Sequence, residues 1–229
     1  MILRYQQSVS DDGKFITVIE KRSGKIYSEG KIQGNAFTIA AAFKFENSKC
    51  TIFGDYHQNT QEQPLKEETK IKGLYTENEY MNANRAKFFD TNNNCIGVIR
   101  RQRIDTKVLW AEKYVFDYRG KNYRAYYVAK PLKGLFYFIV DENNRTIIAI
   151  KQDTTAIDWC FGYDIMLEDD SFAELAIMFL AYADYHKYGG RWVEFGGIKV
   201  KSETTLVAQP KEITEHWDAD FMNRVKKEE

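Results

Sequence analysis

Histidine, the usual carrier of acid–base and metal chemistry, is scarce in this chain of 229 residues: His57, His186 and His216 are the whole supply. His57 lies in a polar run. His186 falls near the end of an apolar stretch, where a cation suits a helix dipole. His216 belongs to the last amphipathic stretch. None has a second ligand at metal spacing, and a catalytic or metal site needs several converging groups. Cys50, Cys95 and Cys160 are odd in number and far apart, with no CxxC or Cys/His spacing suited to zinc. They read as reduced thiols of a cytoplasmic protein. The phosphate-loop, dinucleotide, nucleophile-elbow and HExxH signatures are missing. The expectation is a protein without catalytic residues, cofactor or metal, and not an enzyme.

Two charged clusters remain. Asp164, Glu168, Asp169 and Asp170 precede a strongly apolar stretch. Their plain reading is capping and compensation of a helix dipole; the alternative is a calcium site, since oxygen-rich clusters suit that ion. Arg100, Arg101, Arg103 and Lys107, with Lys113 further on, form the most basic stretch. Charge of this kind protects a strand edge. It also suits recognition of an anion, because the guanidinium fork matches phosphate. Lysine plus arginine equals aspartate plus glutamate, 33 each, so no global field draws the chain to nucleic acid or an anionic membrane.

The element that organises these groups is Ser171 to Tyr188, SFAELAIMFLAYADYHKY. Asp170 and Ser171 offer an N-cap, Glu174 has capping-box spacing from Ser171, and Gly189–Gly190 offers a C-cap. Between the caps almost no polar face is left, which predicts a helix buried on all sides. Glu174 and Asp184 leave only Leu175 to Ala183 free of charge, too short for a membrane span of about 20 residues. No transmembrane segment is expected. The N-terminus lacks the charge and apolar length of a signal peptide.

Around this helix the pattern is strand and turn. Phe15–Ile19, a Ser23–Gly24 turn and Lys25–Tyr27 read as a hairpin. Asn35–Glu46 and Cys50–Phe53 follow, with a polar loop over residues 57 to 70. Phe88 to Arg100 and Phe138 to Lys151 share one plan: strand, Asx-rich turn opened by Asp90 or Asp141, strand. Two such units with the same flanks suggest a repeated supersecondary unit. Trp110–Asp117 and Tyr123–Ala129 flank a Tyr118–Lys121 turn, and Asp158–Leu167 is a further strand run. After the helix, Arg191–Phe195, Ile198–Lys201 and Thr204–Ala208 are short strand candidates. Pro210 opens a final helix, Lys211–Lys227, with Ile213, Trp217, Phe221 and Val225 in one stripe. Its Trp217 and Phe221 are the candidate interaction residues, toward the body of the protein, a protein partner or a second copy.

About ten to twelve short antiparallel strands tend to curl or close, and an all-apolar helix needs a wall. The expected fold is therefore mainly β: a closed or nearly closed antiparallel barrel around a central hydrophobic helix, with a C-terminal extension carrying a short amphipathic helix. Residues 1–209 form the barrel domain, with the helix at 171–188, and 210–229 the extension. Large inward residues should face the helix, with lysine, arginine and glutamate outward.

Phe89-Asp90 with Cys95-Ile96-Gly97-Val98-Ile99, Val140-Asp141 with Ile147-Ile148-Ala149-Ile150, Tyr163-Asp164-Ile165 and the Phe172–Asp184 helix together resemble the Tubby C-terminal domain-like superfamily, which includes phospholipid scramblases and LURP-one-related proteins. The resemblance implies a β-barrel threaded by a hydrophobic helix, a non-enzymatic binding or scaffold role, and an anionic ligand such as a phosphorylated lipid. One departure is that about forty residues follow the helix, where that superfamily's domain usually ends. The alternative is a hollow β-barrel, a small-molecule carrier or enzyme with an aromatic-lined cavity.

Overall fold

The computed structural model describes residues 1–10, 13–34, 38–55, 85–105, 110–130, 134–155, 160–188, 193–195, 198–200 and 211–227. Twelve strands dominate: β1 (Ile2–Ser10), β2 (Gly13–Glu20), β3 (Ile26–Gly34), β4 (Thr38–Lys44), β5 (Lys49–Asp55), β6 (Arg85–Phe89), β7 (Cys95–Asp105), β8 (Trp110–Tyr118), β9 (Lys121–Lys130), β10 (Gly134–Val140), β11 (Thr146–Gln152) and β12 (Tyr163–Leu167). Each pairs antiparallel with the next, and β1 pairs with β12, so the sheet closes into a barrel without a free edge. The closing strand comes from the N-terminal residues, whose Leu3 and Tyr5 face the core while Arg4 faces outward. The seam is a register of Ile2 on Met166 and Arg4 on Asp164. Arg4 joins Asp153 and Asp164 across it, and Lys21 reaches Asp164 as well.

The lumen is filled. A short 3-10 turn, Asp170–Phe172, leads into α1 (Ala173–Tyr188). Leu175 to Asp184 are each at most 2% exposed, and they share one core with inward side chains of all twelve strands. Burial on every face explains why the sequence kept no polar stripe there. Phe179 lies at the centre, edge-on to Tyr114 and Tyr137 and stacked on Phe116, with centroids 5.3 to 5.6 Å apart. These are the rings that a hollow barrel would have turned toward a ligand. Here they contact the helix, so the aromatic-lined cavity of the alternative reading is not present in this lumen.

The two Asx hairpins repeat down to single hydrogen bonds. The Asp90 carboxylate accepts from the backbone N–H groups of Asn92 and Asn94, and that of Asp141 from Asn143 and Arg145. Asn93 and Asn144 both take left-handed backbone angles, φ 66° and 65°. Tyr118–Lys121 turns tightly through Arg119 and Gly120, both at positive φ.

Several expectations need correction. The capping box does not form: Asp169 caps the 3-10 turn by accepting from the Ser171 N–H, and Glu174 is engaged elsewhere. Of the expected run Asp158–Leu167, Asp158 and Trp159 lie outside the described residues and the strand covers Tyr163–Leu167. After α1, β13 (Val193–Phe195) and β14 (Ile198–Val200) pair as a separate two-stranded sheet, while Thr204–Ala208 and the 57–70 loop lie outside the described residues. The final helix is two: α2 (Lys211–His216) and α3 (Phe221–Lys227). Asp218 restarts it, its carboxylate accepting from the N–H groups of Asp220 and Phe221 and from Arg224.

That break lets the segment follow the curved barrel. Ile213 and Trp217 cover Tyr126, Phe136 and Phe138 on the outside of β9 and β10. Phe221 and Val225 cover Ile2, Ala149 and Met166 on β1, β11 and β12. Strands β10 to β12 are thus apolar on both faces, contrary to the simple rule of apolar side chains inward and charged ones outward. Their unbroken runs, FYFIV and TIIAI, are the sequence mark of such double burial.

Candidate functional site

The only two carboxylates on the buried part of α1 stand at its ends, and each is anchored to the barrel wall. At the first end, Glu174 accepts from the Tyr118 hydroxyl and from Arg119 (2.8 Å), with Ser48 at 3.4 Å. Burial works against this carboxylate, but the hydrogen bonds from Tyr118 and Arg119 outweigh it and hold Glu174 below its ordinary range. Beside it the Cys50 thiol is pushed up to about 12, by burial first and then by Glu174, which makes it unreactive. At the other end Asp184 accepts from Tyr163 (2.5 Å) and Lys14 (3.2 Å), and Lys14 also reaches Gln7 (3.3 Å). Lys14 faces inward because Ile16 and Val18 do, two and four positions on along β2. Both groups hold the helix in place.

The acidic cluster is dispersed in space. Asp164 serves Arg4 and Lys21, Glu168 pairs with Arg145, Asp169 caps the turn, and Asp170 lies 3.8 Å from the Met1 amino group. Among the described residues no three His, Cys, Asp or Glu side chains converge on a metal position. Strand position and capping thus give the four carboxylates of the calcium alternative separate partners. Of the histidines, His216 tilts over Tyr126 with ring centroids 5.8 Å apart, His57 lies outside the described residues, and so does the side chain of His186. Cys95 is exposed, Cys50 and Cys160 are buried, and none of the three is in a disulfide. Trp217 and Phe221 pack on their own barrel.

The basic stretch is split by the same alternation. With Ile99 buried in the lumen, Arg101 takes the inward phase and lies across from Tyr114, while Arg100 takes the outward one. The Arg103 side chain and Lys107 lie outside the described residues. Arg100 instead joins cations distant in sequence. It stands directly opposite Arg85 on β6; Lys87 follows on the same face, and Lys113 continues it onto β8. Toward β3 the outer wall adds Lys49, Lys44 and Lys31, with Glu29 opposite Lys44. Among the described outward side chains of β3 to β7, Lys31, Lys44, Lys49, Arg85, Lys87 and Arg100 face one acidic residue, Glu29. Near the middle of this wall Phe53 is 49% exposed, directly opposite Lys87. Among the described side chains this face is thus basic, although the chain has no net charge. The signal was present in sequence only as alternation: Arg85 and Lys87 flank Ala86 and Phe88 in the half-buried, buried rhythm of a wall strand.

The fold is a closed antiparallel β-barrel filled by its own helix. No family model, curated protein or solved structure matches the chain. Among the described residues no helix is long and apolar enough to cross a membrane.

Proposed function

We propose that this chain is a non-enzymatic binding domain of the Tubby-like class, and that the outer wall of β3 to β7 takes an anionic, phosphate-bearing ligand. The observation that carries the reading is the segregation of charge among the described outward side chains of this wall: six cations against one carboxylate in a protein of zero net charge. Among the described residues, α2 and α3 cover strands on the far side of the barrel and α1 fills the lumen. Arg85 and Arg100 stand directly opposite each other on β6 and β7, so two guanidinium groups from adjacent strands are available to one anion. The barrel threaded by an apolar helix is also the architecture that the resemblance implied.

The test is co-sedimentation with phosphatidylcholine vesicles, with and without a phosphoinositide, beside a titration with soluble inositol phosphate. Wild type should bind the phosphate-bearing probes in a salt-sensitive way, and Arg85→Ser with Arg100→Ser should weaken binding about tenfold, the scale of one or two lost charged contacts. Binding to vesicles but not to the soluble headgroup identifies a lipid surface as the source; the reverse identifies a free phosphate compound. Absence of binding to either probe would remove the anion reading.

A further inference from the structure

At the end of the barrel where α1 begins, the β2–β3 turn, the β4–β5 turn and the 3-10 turn surround a cavity of about 570 Å³. This is within the size range of small-ligand pockets. Its apolar wall is an aromatic pair, Tyr27 and Phe45, with rings edge to face at 6.4 Å and 80°. Ile26 adjoins them, 53% exposed. The carboxylates of Glu20, Glu46, Asp170 and Glu174 line the same space from four different parts of the chain. Burial, then Asp170, Glu174 and Glu46, push the Tyr27 phenol up, so the negative field of three of them meets at this ring.

Such a cavity selects by chemistry. An anion meets the carboxylates, and a neutral apolar molecule makes no use of them. A cation on an apolar stem satisfies both parts, its charge over the electron-rich ring faces and its stem along Ile26 and Phe45. Two of the protein's own cations already stand at the cavity, and a bound ammonium would compete with them. Lys25 lies 3.4 Å from Glu46 with both side chains largely exposed, a weak pair that a ligand can displace. The Met1 amino group stands 3.8 Å from Asp170. Glu174 is held by Tyr118 and Arg119 and forms the floor.

We infer that this mouth of the barrel binds an alkylammonium group, the chemistry shared by a lysine side chain of a partner and a small free amine. The site opens at the mouth of the barrel, next to the Lys44–Lys49 end of the basic wall, and does not depend on the anion reading. The experiment is a titration of the full chain with n-butylammonium, followed by the side-chain NMR signals of Tyr27 and Phe45. The isosteric n-butanol and butyrate serve as neutral and anionic controls, and a lysine-containing tripeptide as the peptide source. Butylammonium should give a saturable shift that the two controls do not give. Tyr27→Leu should weaken it about fivefold, the scale of one lost cation–π contact. Glu46→Gln, on an exposed side chain that does not endanger folding, should weaken it too. Tighter binding of the tripeptide than of butylammonium assigns the site to a protein partner, the reverse to a small amine; both support the inference. No saturable shift with either amine, an equal response to butanol, or an unchanged affinity in Glu46→Gln would overturn it.

Discussion

At the scale of single residues, the decisive groups are polar side chains placed where an apolar helix enters and leaves a barrel. Glu174 shows why such a residue cannot be judged from its neighbours in sequence. Its spacing from Ser171 fits a capping box, yet its carboxylate accepts from Tyr118 and Arg119 on the β8–β9 turn. Hydrogen bonds to a charged group are worth about 1.5–3 kcal/mol. Glu174→Gln should therefore lower stability by about 2 kcal/mol near neutral pH. The pH dependence follows from the direction of the shift. The folded carboxyl titrates below the unfolded one, so its stabilisation is complete above the unfolded value, about 4.3. It is lost as pH falls through the lower value of the folded state. Urea unfolding at a series of pH values should show wild type and Glu174→Gln converging toward acid. A constant gap between them down to strongly acid pH would contradict the assigned hydrogen bonds.

At the scale of elements, the C-terminal segment was legible as an apolar stripe but not as a path. Ile213, Trp217, Phe221 and Val225 recur at every fourth position, which describes one straight helix as well as two short ones. The break at Asp218 carries the second half from the β9–β10 wall to the barrel seam. Phe221, 2% exposed, packs there against the closing strands β1 and β12. Phe221→Ala should cost about 3 kcal/mol, as for a buried phenylalanine, and leave the mass measured by light scattering unchanged. A change of assembly state without loss of stability would mean that the side chain serves a partner copy instead. The Asx hairpins are the opposite case. Local hydrogen bonds from Asp90 and Asp141 determine the turn, so the repeated unit was readable 51 positions apart without any tertiary information.

At the scale of the whole molecule, a helix inside a sheet closed on itself has no route to solvent short of opening the wall. The amides of Leu175 to Ala183 should therefore exchange hydrogen only through global unfolding. Their exchange free energy should equal that from urea unfolding, while the amides of α2 and α3, on the outside, exchange earlier. Exchange of the central helix at a lower free energy than the strands would show that it leaves the lumen on its own.

What the sequence determined by itself is local or compositional. An apolar helix without a polar face, strands with a two-residue rhythm and Asx turns together demanded a wall around a rod, and a closed barrel meets that demand. What only the tertiary structure decided is which distant residues share a face. Arg100 and Arg101 are neighbours in the chain yet fall on opposite phases of one strand, while Arg85 and Arg100 meet across two. Likewise the aromatic and acidic residues of the barrel mouth come from turns that only closure brings together. The reason is geometric: side-chain direction follows from strand period, but register between strands depends on the packed interior.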